Sequence, residues 1–160
     1  MGFFFGNKNN GKKIREKKVE VDESVELKTL KLLIKYAQDC EEDIDGLICE
    51  LGTMPENEKI LDFKTKIGPN LNIINFNLSK IKNAKSIVMR FTSGSTVLKR
   101  EVNEIFEGFV FMIHPVESKK VLLRLLENQE EKINIVLKKL MLSLERVLKE
   151  EEMGVEKKVA

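Results

Sequence analysis

The sequence holds one histidine, two cysteines and three prolines, and no apolar run longer than about six residues. Each scarcity removes a class of function. A single histidine, His114, cannot form a histidine metal set or a histidine pair for proton transfer; set between the apolar run FVFMI and Pro115, it reads as a strand terminus. Cys40 and Cys49 are too far apart for a CxxC redox pair or a short metal-ligand pair, and they read as two reduced thiols in a reducing compartment. A membrane-crossing helix needs about 20 apolar residues, and none is present. The start is no secretory signal either, because its basic residues follow its apolar ones, so a cytoplasmic location is expected.

Catalytic chemistry finds no residue set. The carboxylates of EEDID and EEE lie in runs that read as solvated charge. TSGST has small residues able to cradle an anion, but it lacks the remaining glycine and the lysine of a phosphate loop. No catalytic residue, metal or cofactor is expected, and the protein reads as non-enzymatic.

What is present is a charge asymmetry. The net charge is +2, yet residues 1 to 20 carry six basic groups against Glu16 and Glu20, for a local +4, and the remainder is at −2. A nucleic-acid binder more often spreads its basic charge over a folded face, and this terminal segment lacks interleaved aromatics. Nucleic acid is therefore the least favoured partner. The same segment opens MGFFFGNKNNGKKIR. Phe3, Phe4 and Phe5 can dip into a lipid interface while Lys8, Lys12, Lys13 and Arg15 hold anionic headgroups, each basic residue contributing about 1 kcal/mol. The alternative is that the three rings pack on the protein's own body. Gly6 stands where a myristoylation signal wants a hydroxyl.

Residues 1 to 20 read as a flexible basic, membrane-targeting tail. A helix is expected over 22–41, capped by Asp22 or Ser24, with Leu27, Leu30, Ile34 and Ala37 at helical spacing. Residues 43 to 115 then read as a small α+β domain, sandwich-like, with a mixed sheet. GLICELG is a strand, PENEKILDFKTK a helix stopped by Gly68-Pro69, LNIINFNL a strand, and NAKSIVMRFTSGSTVL a helix. REVNEI and GFVFMIHP form a closing hairpin turning at Glu107-Gly108. The order is β-α-β-α-β-β. Gly94 is explained equally by close approach of a partner helix or by a helix end.

Residues 118 to 152 form one long amphipathic helix of about 50 Å, with 153–160 as a flexible tail. Leu126, Ile133, Leu137, Leu140, Leu144 and Val147 follow the spacing of a coiled-coil seam, a candidate surface for helical assembly. Packing of this helix on its own domain is the alternative.

Three stretches, LNIINFNLSKI, RFTSGSTVL and EIFEGFVFMIHP, are similar to an apolar strand ending Asn-Leu, a helix with a central Ser-Gly and a closing hairpin in SepF proteins. Residues 46 to 115 thus resemble SepF, the adaptor that anchors the division protein FtsZ to the membrane, which also begins with a membrane-binding segment. The two flanking helices depart from that pattern. The resemblance implies a homodimer or higher homo-oligomer with Ser93 and Gly94 at the subunit contact, and the C-terminal tail of an FtsZ-like protein as partner. It implies a cell-division (septation) role at the inner face of the membrane. The competing expectation is a cytosolic scaffold that self-associates through its C-terminal helix.

Overall fold

The apolar recurrence that begins at Leu27 does not stop at Cys40. In the computed structural model, which describes residues 24–55, 60–90, 96–116 and 118–159, it continues through a first helix α1, Val25–Thr53. Leu30, Leu33, Ala37, Cys40, Ile44, Leu47 and Leu51 alternate three and four apart, and all are buried. This spacing keeps one stripe of a helix facing inward over its whole length. Ser24 caps the start: its hydroxyl oxygen accepts from the Leu27 N–H (3.1 Å) and its O–H donates to Glu151 (2.7 Å). Met54 closes the other end, its N–H donating to the Leu51 carbonyl.

The α+β expectation is overturned. Four helices and no strand occur among the described residues: α1, then α2 (Ile60–Met89), α3 (Thr96–Ile105) and α4 (Lys119–Val159). GLICELG is the last part of α1. LNIINFNL lies inside α2, where Leu71, Ile74 and Leu78 are buried and Ile73 and Phe76 face solvent. REVNEI belongs to α3. The β-favouring isoleucines yield because strand propensity spans only about 1 kcal/mol, while each buried aliphatic side chain is worth roughly 1.5–3 kcal/mol. Gly68-Pro69 does not end the second helix. Pro69 lies within α2 and withholds one N–H from its ladder, a cost offset by burial of Ile67 and Leu71 on either side.

Paired contacts set the directions. On α1 and α2, Glu50 accepts from Asn70 and Asp43 from Asn77, so the two run antiparallel. On α1 and α4, Ser24 meets Glu151, and Lys119 Nζ donates to the Met54 carbonyl (2.7 Å), again antiparallel. That ammonium also lies beside the partially negative end of α1. Arg146 of α4 pairs with Glu101 of α3, while Glu104 and Ile105 share a groove with Ile135 and Lys139. The chain therefore goes up, down, up and down.

The third column is helical for only part of its height. α3 buries Leu98 and Val102 and ends through a turn in which Gly108 adopts φ +75°, a left-handed conformation that costs most other residues about 1–2 kcal/mol. From there residues 109–116 run as irregular chain, with a bend at Phe111 and without a strand partner among the described residues. Side-chain amides replace the missing ladder. Asn75 of α2 accepts from the Ile113 N–H (2.8 Å) and donates to the Ile113 carbonyl (3.0 Å), and Gln129 of α4 donates to the Val110 carbonyl (2.8 Å). The turn expected at Glu107-Gly108 exists, but it joins a helix to this segment, and no hairpin forms. Phe106, Phe109 and Phe111 cluster beneath it with ring centroids 5.0 to 6.0 Å apart.

Candidate functional site

The structure assigns the expected assembly seam to the bundle's own interior. Leu126, Ile133, Leu140 and Val147 are buried, and Leu137 and Leu144 are half-buried against the same core. The buried line runs Leu122, Leu126, Gln129, Ile133, Val136, Leu140, Ser143, Val147. Gln129 and Ser143 break the apolar pattern, and both have partners in the third column: Val110 for Gln129, Glu101 for Ser143 (3.3 Å). The remaining expected site residues, Phe3, Phe4, Phe5, Lys8, Lys12, Lys13, Arg15, Ser93 and Gly94, lie outside the described residues.

Among the described residues no group of histidine, cysteine and carboxylate side chains could hold a metal ion, and no helix is long and apolar enough to cross a membrane. His114 is exposed on the irregular segment. Burial pushes the Cys40 thiol up to about 12, with Asp43 and Asp39 adding to the shift, so it stays protonated and unreactive while Cys49 is exposed. Burial also raises the Glu130 carboxyl above the ordinary glutamate value, reinforced by Asp45 of α1, with which it shares a hydrogen bond, and by Glu41 and Glu127. Burial alone would lower the Arg146 guanidinium, but Glu101 and Glu150 outweigh it and hold its pKa above the usual value, tying α3 to α4.

The most distinctive surface lies between α1 and α2. Residues 39–53 of α1 contain Asp39, Glu41, Glu42, Asp43, Asp45 and Glu50 and no basic residue, while residues 67–79 of α2 contain no charge at all. A groove of about 320 Å³ runs between them, lined by Glu42, Asp43, Gly46, Leu47, Asn70 and Ile73. One turn further along α2 stands Phe76, 61% exposed, and Ile73 is 50% exposed. Lys80 spreads its ammonium over Phe76 (4.7 Å to the ring centre) and over Tyr36 of α1 (5.5 Å). The groove therefore continues into an aromatic shelf.

Reading LNIINFNL as a strand conceals this surface. Its helical reading places Ile73 and Phe76 off the inward stripe of Leu71, Ile74 and Leu78, and the absence of charge from residue 67 to residue 79 is the signal that marks them. No known protein family, curated protein or solved structure matches the chain.

Proposed function

We propose that the protein is a non-enzymatic, membrane-peripheral adaptor, whose residues 3–15 attach reversibly to an anionic lipid surface and whose helical bundle is the body carried there. The observation that supports this reading is the segregation of charge. The basic excess and the phenylalanine triplet share the first 20 residues, and the remainder is slightly acidic. The four basic groups of residues 3–15 at about 1 kcal/mol each, together with partial burial of three rings, suffice for reversible attachment and not for permanent insertion.

Co-sedimentation with vesicles tests it. The full chain should pellet with vesicles rich in phosphatidylserine, less so in high salt, and not with neutral ones; replacing Phe3, Phe4 and Phe5 together by serine should release it. Equal sedimentation of the two proteins would remove the lipid role of the rings. Of the stretches that resemble SepF, LNIINFNLSKI is helical, EIFEGFVFMIHP is a helix end followed by irregular chain, and most of RFTSGSTVL lies outside the described residues, so FtsZ binding rests on that sequence likeness alone. An FtsZ C-terminal tail peptide that leaves the bundle's spectrum unchanged would end it.

A second reading, self-association, is favoured by one feature. Away from the buried seam, α4 exposes Met141 (43%), Leu142 (65%) and Leu148 (40%). Light scattering that gives a monomer at every concentration, and still a monomer with Leu142→Lys, would set this reading aside.

A further inference from the structure

We infer that the acidic groove between α1 and α2 is the docking surface for this chain's own residues 3–15, so that the lipid-seeking segment has a second resting place on the protein. The inference rests on the membrane reading above only for its physiological use; the docking itself stands on the groove.

Three features point to this occupant. The first is composition: the groove combines an exposed apolar shelf, Ile73 and Phe76, with the carboxylates of Glu42 and Asp43. A ligand that matches it must carry large apolar side chains followed by positive charge. FFFGNKNNGKKIR has that order. The match also keeps attraction and burial side by side, since charge complementarity steers the segment and the rings supply area to bury.

The second is the open floor. Gly46 sits well inside α1, where glycine is disfavoured relative to alanine, and a Cβ built there would meet nothing within 4 Å. Packing within the bundle does not call for a glycine. Its effect is to leave the groove deep enough for a side chain from elsewhere.

The third is reach. From Ser24 to Glu42 the helix rises about 27 Å, whereas the 19 residues from Phe5 to Ser24 span up to about 65 Å when extended. The segment can fold back along α1 with chain to spare. Attachment within one chain also works at a high effective concentration, so modest contacts hold it. Anionic lipid then competes for the same rings and lysines.

The native thiols supply the probe. Cys40 is buried and Cys49 is exposed one helical face with Glu42 and Gly46, so a nitroxide reagent marks the groove in the unmutated full-length protein. In low salt the amide signals of Phe3, Phe4 and Phe5 should lose most of their intensity relative to the reduced label. Gly46→Leu, which fills the groove where space is open, and Glu42→Lys, at an exposed position, should each restore them while the bundle's amide dispersion is unchanged. If Gly46→Leu does not fold, Glu42→Lys alone decides.

Full signal intensity in low salt overturns the docking, as does broadening that persists in both variants. So does broadening in a mixture of isotope-labelled, thiol-blocked chains with spin-labelled, unenriched chains, because the segment would then occupy a second copy. Vesicle binding without broadening leaves the membrane reading standing and removes this one. Broadening without vesicle binding does the reverse.

Discussion

Replacing Asn75 by alanine should destabilise the bundle by about 2–3 kcal/mol, more than any exposed asparagine of α2. Its side-chain amide closes a two-bond ring with Ile113, accepting the N–H at 2.8 Å and donating to the carbonyl at 3.0 Å. Ile113 is 5% exposed, so truncation leaves a peptide N–H and C=O without a protein partner at a place water reaches poorly. Leaving one such group unpaired costs about 1–3 kcal/mol. Two would reach about 2–6 kcal/mol, and the half-buried setting of Asn75 places the total toward the lower end. For a chain of this size that is a fall in melting temperature of roughly 5–10 °C. Urea unfolding followed by circular dichroism measures it, with Asn72→Ala, at an exposed position of the same helix, as the reference. Hydrogen exchange adds a local readout, since the Ile113 amide should exchange faster in the variant while the amides of α1 keep their protection. An Asn75→Ala protein as stable as Asn72→Ala would refute the claim that side-chain amides hold the third column in place.

Pro69→Ala should stabilise the protein by about 2 kcal/mol, because the proline's helix-interior cost of about 3 kcal/mol outweighs the 0.4–1 kcal/mol it contributes by restricting the unfolded chain; an unchanged urea midpoint would mean that α2 is already adapted to it. In the native protein only Cys49 should react with Ellman's reagent, Cys40 being buried with its pKa pushed up to about 12, and the second thiol should appear only on unfolding; equal rates for both would contradict the packing of α1. The Glu130 carboxyl is raised in the folded state, so the stability linked to its proton is present below the ordinary glutamate pKa and is lost as pH rises through the folded value. Glu130→Gln should therefore raise the melting temperature at neutral pH and leave it unchanged in acid, by less than about 1 kcal/mol given the exposure of the pair; an equal gain at both pH values would exclude relief of charge repulsion as its cause.

Two helices were legible from spacing, though not their full extents. Leu27, Leu30 and Ala37 announce α1, and the run from Leu126 to Val147 announces α4, because a recurrence near 3.6 residues has no other simple structural meaning. The end of α1 was hidden by EEDID, which looks like a turn, and GLICELG, which looks like a strand; the two flanks of α2 read as helix, but its middle was hidden by Gly68-Pro69 and a run of isoleucine and asparagine that looks like a strand. In each case local preferences of about 1–3 kcal/mol oppose a stripe of buried side chains that only becomes a stripe once a neighbouring helix covers it.

The amino-acid order alone determined the polarity of the molecule: a basic, phenylalanine-bearing start, a slightly acidic remainder, few residues able to do chemistry, and a long amphipathic finish. Tertiary structure decided what the amphipathic faces meet. Leu126, Ile133, Leu140 and Val147 turn into the bundle, Asn75 and Gln129 serve a stretch of non-helical chain, and Ile73 and Phe76 are left at the surface, Ile73 sharing a groove with Glu42 and Asp43 of α1. The physical reason is that periodicity records which residues share a face, whereas burial depends on the partner that face finds, and the partners here are 19 to 127 residues away along the chain.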